Sequence, residues 1–179
     1  MPLLEYLTAD AVRRMPDDGN RYEVVHGELL VTPAPAGRHQ LVLANIFRAV
    51  DGYLTAHGIR EALWSPADIS FGDDTLVQPD LFVADLDAFR QSSDWRDIRT
   101  LHLVVEALSP SSLRADRFTK RRLYQEQRIG TYWVVDVDQQ QVEVWTPDLT
   151  FPIIEREQLV WRHPALVEAC SVSVPGLFQ

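Results

Sequence analysis

Three residues of this chain carry chemistry that their surroundings do not explain. Asp80 stands in Val77-Gln78-Pro79-Asp80-Leu81-Phe82-Val83, an apolar run that a proline and an acid interrupt. Glu106 interrupts a second apolar run at residues 101–108, and Lys120 is the only lysine, the other sixteen of the seventeen basic residues being arginine. Proline cannot donate to a strand ladder, an unpaired buried carboxylate costs several kcal/mol or takes up a proton, and local rules tend to break where a chain does chemistry. Two carboxylates on neighbouring strands can converge on a divalent cation, and hard oxygen donors with room for water suit Mg²⁺ or Mn²⁺. Such an ion acidifies a water and stabilises charge on a phosphoryl oxygen, which is what phosphodiester hydrolysis requires. Lys120 shares a helix face with Asp116 and Tyr124 by four-residue steps. Flanked by Leu123 and Tyr124, it points toward the core side, its stem packed and its ammonium in reach of a metal-bound water or a scissile phosphate. Arginine is a poor substitute there, being larger, planar and always charged. Each residue alone has a plainer reading: a structural acid paired with an arginine, or a lysine left by codon bias. Their conjunction favours a metal-dependent phosphodiesterase site.

The elements that must position these residues follow from periodicity. Thr8 caps a short helix stopped by Pro16 and Gly19, and RYEVVHGELLVT reads as a hairpin turning at His26-Gly27, with Glu23 and Glu28 on either side of the turn. Residues 34–37 read as a loop. Apolar residues at three- and four-residue steps predict an amphipathic helix over 38–57, ended by Gly58. Strands are predicted at 59–64, 67–71 and 76–84, the last two joined by a turn at Gly72-Asp73-Asp74, then a polar connection over 85–100. Residues 101–108 predict a central strand, followed by a Ser-Pro-Ser-Ser turn and the Lys120 helix. A buried strand at 132–137 and its hairpin partner at 141–145 come next, and 151–154, 159–161 and 172–174 read as shorter edge strands. The expectation is a single α/β domain over 1–179 with a mixed central sheet flanked by helices.

Composition sets the outer bounds. A chain of 179 residues can bury about 70% of its unfolded surface in one core, and 46% hydrophobic with 24% charged residues is ordinary for a globular protein. No apolar window is long enough to span a membrane, and acidic Glu5 and Asp10 stand where a signal peptide needs basic charge, so the expectation is a cytoplasmic protein with no membrane partner. One cysteine, Cys170, excludes an internal disulfide and a cysteine-rich zinc site. A net charge of −9 argues against a surface that clings to nucleic acid as a whole. Local positive charge remains: Arg114, Arg117, Lys120, Arg121, Arg122 and Arg128 fall within fifteen positions, either as a patch beside the site or as a solvated helix face.

The segments YEVVHGEL, PAPAGRHQ, VQPDLFV, LVVEALSPSS, DRFTKRRLY and GTYWVVD, taken in this order, resemble the Uma-two-type endonuclease family. That family is a branch of the restriction-endonuclease-like PD-(D/E)XK superfamily, and the motifs run over about residues 22–145. The resemblance implies a restriction-endonuclease-like fold, with Pro79-Asp80 as the PD motif, Glu106 as the second acid and a divalent metal, Mg²⁺ or Mn²⁺, between them. The wider superfamily places a lysine two residues after the second acid, where this chain has Leu108; Lys120 then reads as its replacement on the helix. Glu23 resembles an N-terminal acid that joins the metal site in related nucleases, with a hairpin or surface role as the alternative. His39 reads as a helix-start cap, or as a group that reaches the site or a phosphate. Ser109, with Ser111 and Ser112, satisfies the turn and the next helix start, or offers N–H groups to a phosphate. Arg117, Arg121 and Tyr124 complete the set of candidate substrate contacts, Tyr124 reading equally as core. Asp136 reads as a strand end. The function implied is Mg²⁺-dependent hydrolysis of DNA; the sequence leaves the oligomeric state open, a homodimer being one option because nucleases that cut both strands often work as dimers. The alternative, which the net charge favours, is a non-catalytic domain keeping the same fold for binding or assembly.

Overall fold

The computed structural model describes residues 6–33 and 37–179; the predicted loop at 34–37 lies, apart from Gly37, outside the described residues. Thr8 caps α1 (Ala9–Arg13), its hydroxyl accepting from the Ala11 N–H. The β1 (Asn20–Val25) and β2 (Glu28–Pro33) hairpin turns through His26 and Gly27, both with positive φ, the backbone that a two-residue turn between twisted strands demands. The long amphipathic segment is α2 (Gly37–Ala56), and its stripe of Val42, Leu43, Ile46, Val50 and Leu54 is buried.

Six strands form a mixed sheet in the order β10-β9-β8-β7-β6-β3, comprising β3 (Ala62–Trp64), β6 (Leu81–Ala84), β7 (Leu101–Ala107), β8 (Thr131–Asp136), β9 (Gln141–Trp145) and β10 (Ile153–Glu155). Every neighbouring pair is antiparallel except β7 and β8, whose parallel pairing requires the crossover that carries Lys120. Alternation along the strands separates the faces. Leu81, Val83, Leu103, Val105 and Val135 pack beneath α2, while Phe82, Val104 and Val134 pack with Leu123 and Tyr124 of the crossover helix on the other side.

Two predictions need correction. The strand expected over 76–84 is two strands in different sheets. β5 (Thr75–Val77) joins β1, β2 and β4 (Ile69–Gly72) in a four-stranded sheet, and the chain crosses at Gln78-Pro79-Asp80 to β6. Pro79 has no N–H to extend either ladder, so the break falls where the ladder would fail. The C-terminal strands are not all edges of the central sheet. Only β10 is; β11 (Gln158–Trp161) and β12 (Cys170–Ser173) pair with each other, and Val174 starts the short helix α5 (Val174–Leu177), where Pro175 suits a helix start. The polar connection over 85–100 holds α3 (Asp87–Ser92) and a 3₁₀ turn at Trp95–Asp97. The helix bearing Lys120 opens as a π-helical segment, Ala115–Lys120, before α4 (Arg121–Glu126). No helix among the described residues is long and apolar enough to cross a membrane.

Candidate active site

Pairing across β6 and β7 sets Leu81 opposite Val105, so one step further along the same register brings Asp80 opposite Glu106. Both side chains are buried, as are Glu23, Asp116 and Lys120. The lysine is the hub of this group: its Nζ lies 2.8 Å from Glu23 Oε2, 3.0 Å from Glu106 Oε1 and 3.3 Å from Asp116 Oδ1. The π-helical segment sets Asp116 and Lys120 on one face, and such segments recur at functional sites. Tyr124, one turn on, donates its hydroxyl to Glu106 Oε1 at 3.1 Å. Glu23 Oε1 in turn accepts the Gln78 N–H at 2.7 Å, which ties β1 to the chain crossing. Glu28, across the hairpin, is exposed.

Asp80 is held from the opposite side. Arg21 donates to Oδ1 at 2.7 Å, the Ala107 N–H donates to Oδ2 at 2.9 Å, and His39 Nε2 stands 3.2 Å from Oδ2. The same His39 nitrogen is 2.7 Å from the Ala107 carbonyl; a carbonyl only accepts, so Nε2 carries the proton. His39 therefore sits in the first turn of α2 facing Asp80 rather than capping the helix. Ser109 and Ser112 bond reciprocally, each backbone N–H to the other's hydroxyl, and both line the same cavity as Asp80 and Lys120. That cavity has a volume of about 20 Å³, enough for one water or one ion, and Asp80, Glu106 and Asp116 all border it.

The electrostatics follow from burial and partners. Burial pushes the Glu106 carboxyl above its ordinary range; Lys120 opposes this, and Asp80, Asp116 and Glu23 add to it. Asp116 is raised for the same reason, again against Lys120. Burial alone would pull the Lys120 ammonium down, but Glu106, Glu23 and Asp116 outweigh it and hold the amine charged well above its usual range. Burial would likewise raise Asp80, yet hydrogen bonding from His39 and the Arg21 charge carry it below the carboxylate range. Four buried carboxylates thus face two permanent cations and one histidine. Three of these carboxylates, Asp80, Glu106 and Asp116, border the ion-sized cavity, and their hard oxygen donors fit a divalent cation.

Sequence reasoning missed two members of the group, Arg21 and Asp116, as site residues. Arg21 lies two residues before Glu23 on β1, and Asp116 four before Lys120; both spacings were visible, but not which sheet β1 would lie beside. Two candidates fall outside. Arg117 reaches away from the cavity to Asp136 at 2.7 Å and Glu143 at 2.6 Å. Arg121 bonds Gln125 and lies 5.0 Å over the Trp145 ring. The basic run is thus a set of structural pairs at these positions, because only one face of a helix can look into the core. Arg117→Ala should lower the thermal midpoint, since Asp136 and Glu143 lose their shared cation, and leave any catalytic rate unchanged; parallel melts and rate assays check it.

No curated protein matches this chain. Its fold is similar to that of a solved structure described as a putative nuclease belonging to DUF820 from Anabaena variabilis, with a TM-score of 0.76, 19% identity and coverage of 96% of this chain and 97% of that one. The family model named Uma2, described as "Putative restriction endonuclease", matches residues 9–174, beyond the 22–145 stretch that carries the motifs. The chain belongs to the Uma2 family of restriction-endonuclease-like proteins.

Proposed function

We propose that this chain is a Mg²⁺-dependent endonuclease that hydrolyses DNA phosphodiester bonds, with Asp80 and Glu106 holding the ion and Mn²⁺ able to replace Mg²⁺. The observation that carries this reading is the ion-sized cavity between Asp80 and Glu106 with the buried Lys120 ammonium beside it. Family membership supports the nuclease class. When bound, the cation supplies an acidified water and a Lewis acid for the phosphoryl oxygens.

The protein's own groups do the rest. Arg21 and the Ala107 N–H fix the Asp80 carboxylate, so its free lone pairs keep one direction. Lys120, held charged by three carboxylates, acts as a cation rather than a base, stabilising negative charge as it builds on the phosphate. Attack of water on phosphorus breaks one P–O ester bond, leaving a phosphate on one end and a hydroxyl on the other. Glu23 and Asp116 keep the amine in place from β1 and the π-helical segment. A homodimer would bring a second such centre to the second strand of a duplex.

Incubation of the purified chain with supercoiled plasmid and Mg²⁺ or Mn²⁺ tests the proposal. Nicked and linear product that requires the divalent ion is expected. Absence of cleavage together with calorimetric binding of neither ion would favour the non-catalytic alternative.

A further inference from the structure

Glu61, His102 and His163 meet at the other end of the central sheet. His102 lies four residues before Glu106 on β7, roughly 13 Å away at the rise of a strand, so the two groups do not share a ligand sphere. Glu61 directly precedes β3 and is anchored there, its carbonyl accepting the Ala84 N–H at 3.2 Å. His163 follows β11, and its backbone N–H donates to the Tyr53 hydroxyl at 3.3 Å. Glu61 Oε2 stands 3.0 Å from His163 Nε2 and 3.9 Å from His102 Nε2. The two imidazoles pack edge to face with centroids 4.8 Å apart, and one ligand atom from each of the three residues lies within 4.8 Å of the others. His163 is buried, while Glu61 and His102 are half-buried, which leaves a route for an ion and an open side for water.

We propose that Glu61, His102 and His163 form a second cation site, specific for a first-row transition dication such as Zn²⁺, that fastens β3, β7 and the turn after β11 to one another. Two imidazoles and a carboxylate make a borderline donor set. Zn²⁺ takes three such protein ligands plus water in a tetrahedral shell, whereas Mg²⁺ prefers oxygen and keeps its waters. The ligand atoms already stand near the separations that tetrahedral coordination needs, so small side-chain rotations close the site. Loading has one local cost. The Ala165 N–H points at His163 Nδ1 at 3.2 Å, and an ion on Nε2 moves the ring proton to Nδ1, so that short-range contact must open. Three metal–ligand bonds replace it and the His163–Glu61 hydrogen bond.

The full chain is titrated with Zn²⁺ by calorimetry in a buffer with excess Mg²⁺, and its melting is followed with and without Zn²⁺. The expected result is one Zn²⁺ per chain that Mg²⁺ does not displace, and a higher thermal midpoint on loading. His102→Ala, at a half-buried residue, should weaken binding by about tenfold or more and remove the midpoint gain. His163→Gln should act likewise, and Asp80→Asn should leave Zn²⁺ binding intact. Co²⁺ in place of Zn²⁺ should add the visible bands of a four-coordinate ion in the native chain and not in His102→Ala. No Zn²⁺ bound under excess Mg²⁺, or binding that survives both histidine changes, or binding lost with Asp80→Asn, would overturn the proposal and leave the three residues as an ordinary hydrogen-bonded cluster.

Discussion

Asp80→Asn should slow Mg²⁺-dependent plasmid cleavage by about a thousandfold or more, the scale of several kcal/mol of charge stabilisation lost with a metal ligand. Asparagine is the informative replacement because it keeps the volume and one acceptor. Alanine would leave the half-buried Arg21 guanidinium and the buried His39 imidazole without the carboxylate they share, and breaking a buried pair costs about 3–5 kcal/mol. Even with asparagine some stability is lost, since Arg21 now donates to a neutral oxygen. Melting must therefore be measured beside the rate, and the rate read at a temperature where the variant is folded. Glu106→Gln should have an effect of the same order. The sharper expectation concerns the double variant: two ligands of one ion act as a unit, so removing both should cost little more than removing either. Effects that multiply would mean that Asp80 and Glu106 work separately, and a folded Asp80→Asn chain cutting within tenfold of the native rate would remove Asp80 from the chemistry.

The same physics explains what could be read from the chain before its structure. Asp80, Glu106 and Lys120 stood out because each breaks a local rule, and rule-breaking is visible without coordinates: an acid in an apolar strand, a lone lysine among arginines. The α2 helix was legible because its apolar stripe runs over twenty residues. Local rules do not say which distant strand lies alongside. By local rules Gln78-Pro79-Asp80 is an irregularity within one strand, yet it is where the chain leaves one sheet for another. Because of that crossing, Glu23 on β1 reaches Lys120, and Arg21 reaches Asp80. His39 reads from the sequence as a cap or as a group that reaches the site, because helix starts attract polar residues; only the fold shows that its contact is a carboxylate contributed forty-one positions later. The basic run from Arg114 to Arg128 could not be apportioned by spacing alone, since Arg117 and Lys120 are three apart and yet one pairs with β8 and β9 while the other turns into the core. The π-helical segment leaves no mark on the apolar pattern. The Glu61, His102 and His163 group joins three segments with no motif between them, so nothing in the sequence announces it.

Lys120→Met should be the most destabilising change at this centre, about 3–5 kcal/mol by urea unfolding in metal-free buffer near pH 8. Methionine fills the space of the lysine stem but leaves Glu23, Glu106 and Asp116 without the cation they share. The pH dependence identifies the cause. Glu106 and Asp116 already have folded-state pKa values raised above their ordinary 4.5 and 3.8, by burial in the first place and against the pull of Lys120. Without the ammonium they rise further, so the folded variant binds protons that the unfolded chain does not. For a group with a raised folded pKa, the stabilising protonation is complete below the unfolded value and is lost as pH climbs through the folded one. The deficit relative to the native chain should therefore be greatest at alkaline pH and shrink as pH falls through the raised folded-state values toward the ordinary carboxylate range. Mg²⁺ offers a second route to the same neutralisation, so millimolar Mg²⁺ should recover part of the loss at pH 8 if an ion enters beside Glu106. Lys120→Arg separates charge from shape: the charge is kept, but the planar guanidinium must fit where a compact ammonium is enclosed by three carboxylates, so cleavage should fall even where stability is largely retained. A methionine variant as stable as the native chain at pH 8 would show that the carboxylates do not depend on Lys120, and one that also cut DNA at the native rate would take the residue out of both roles.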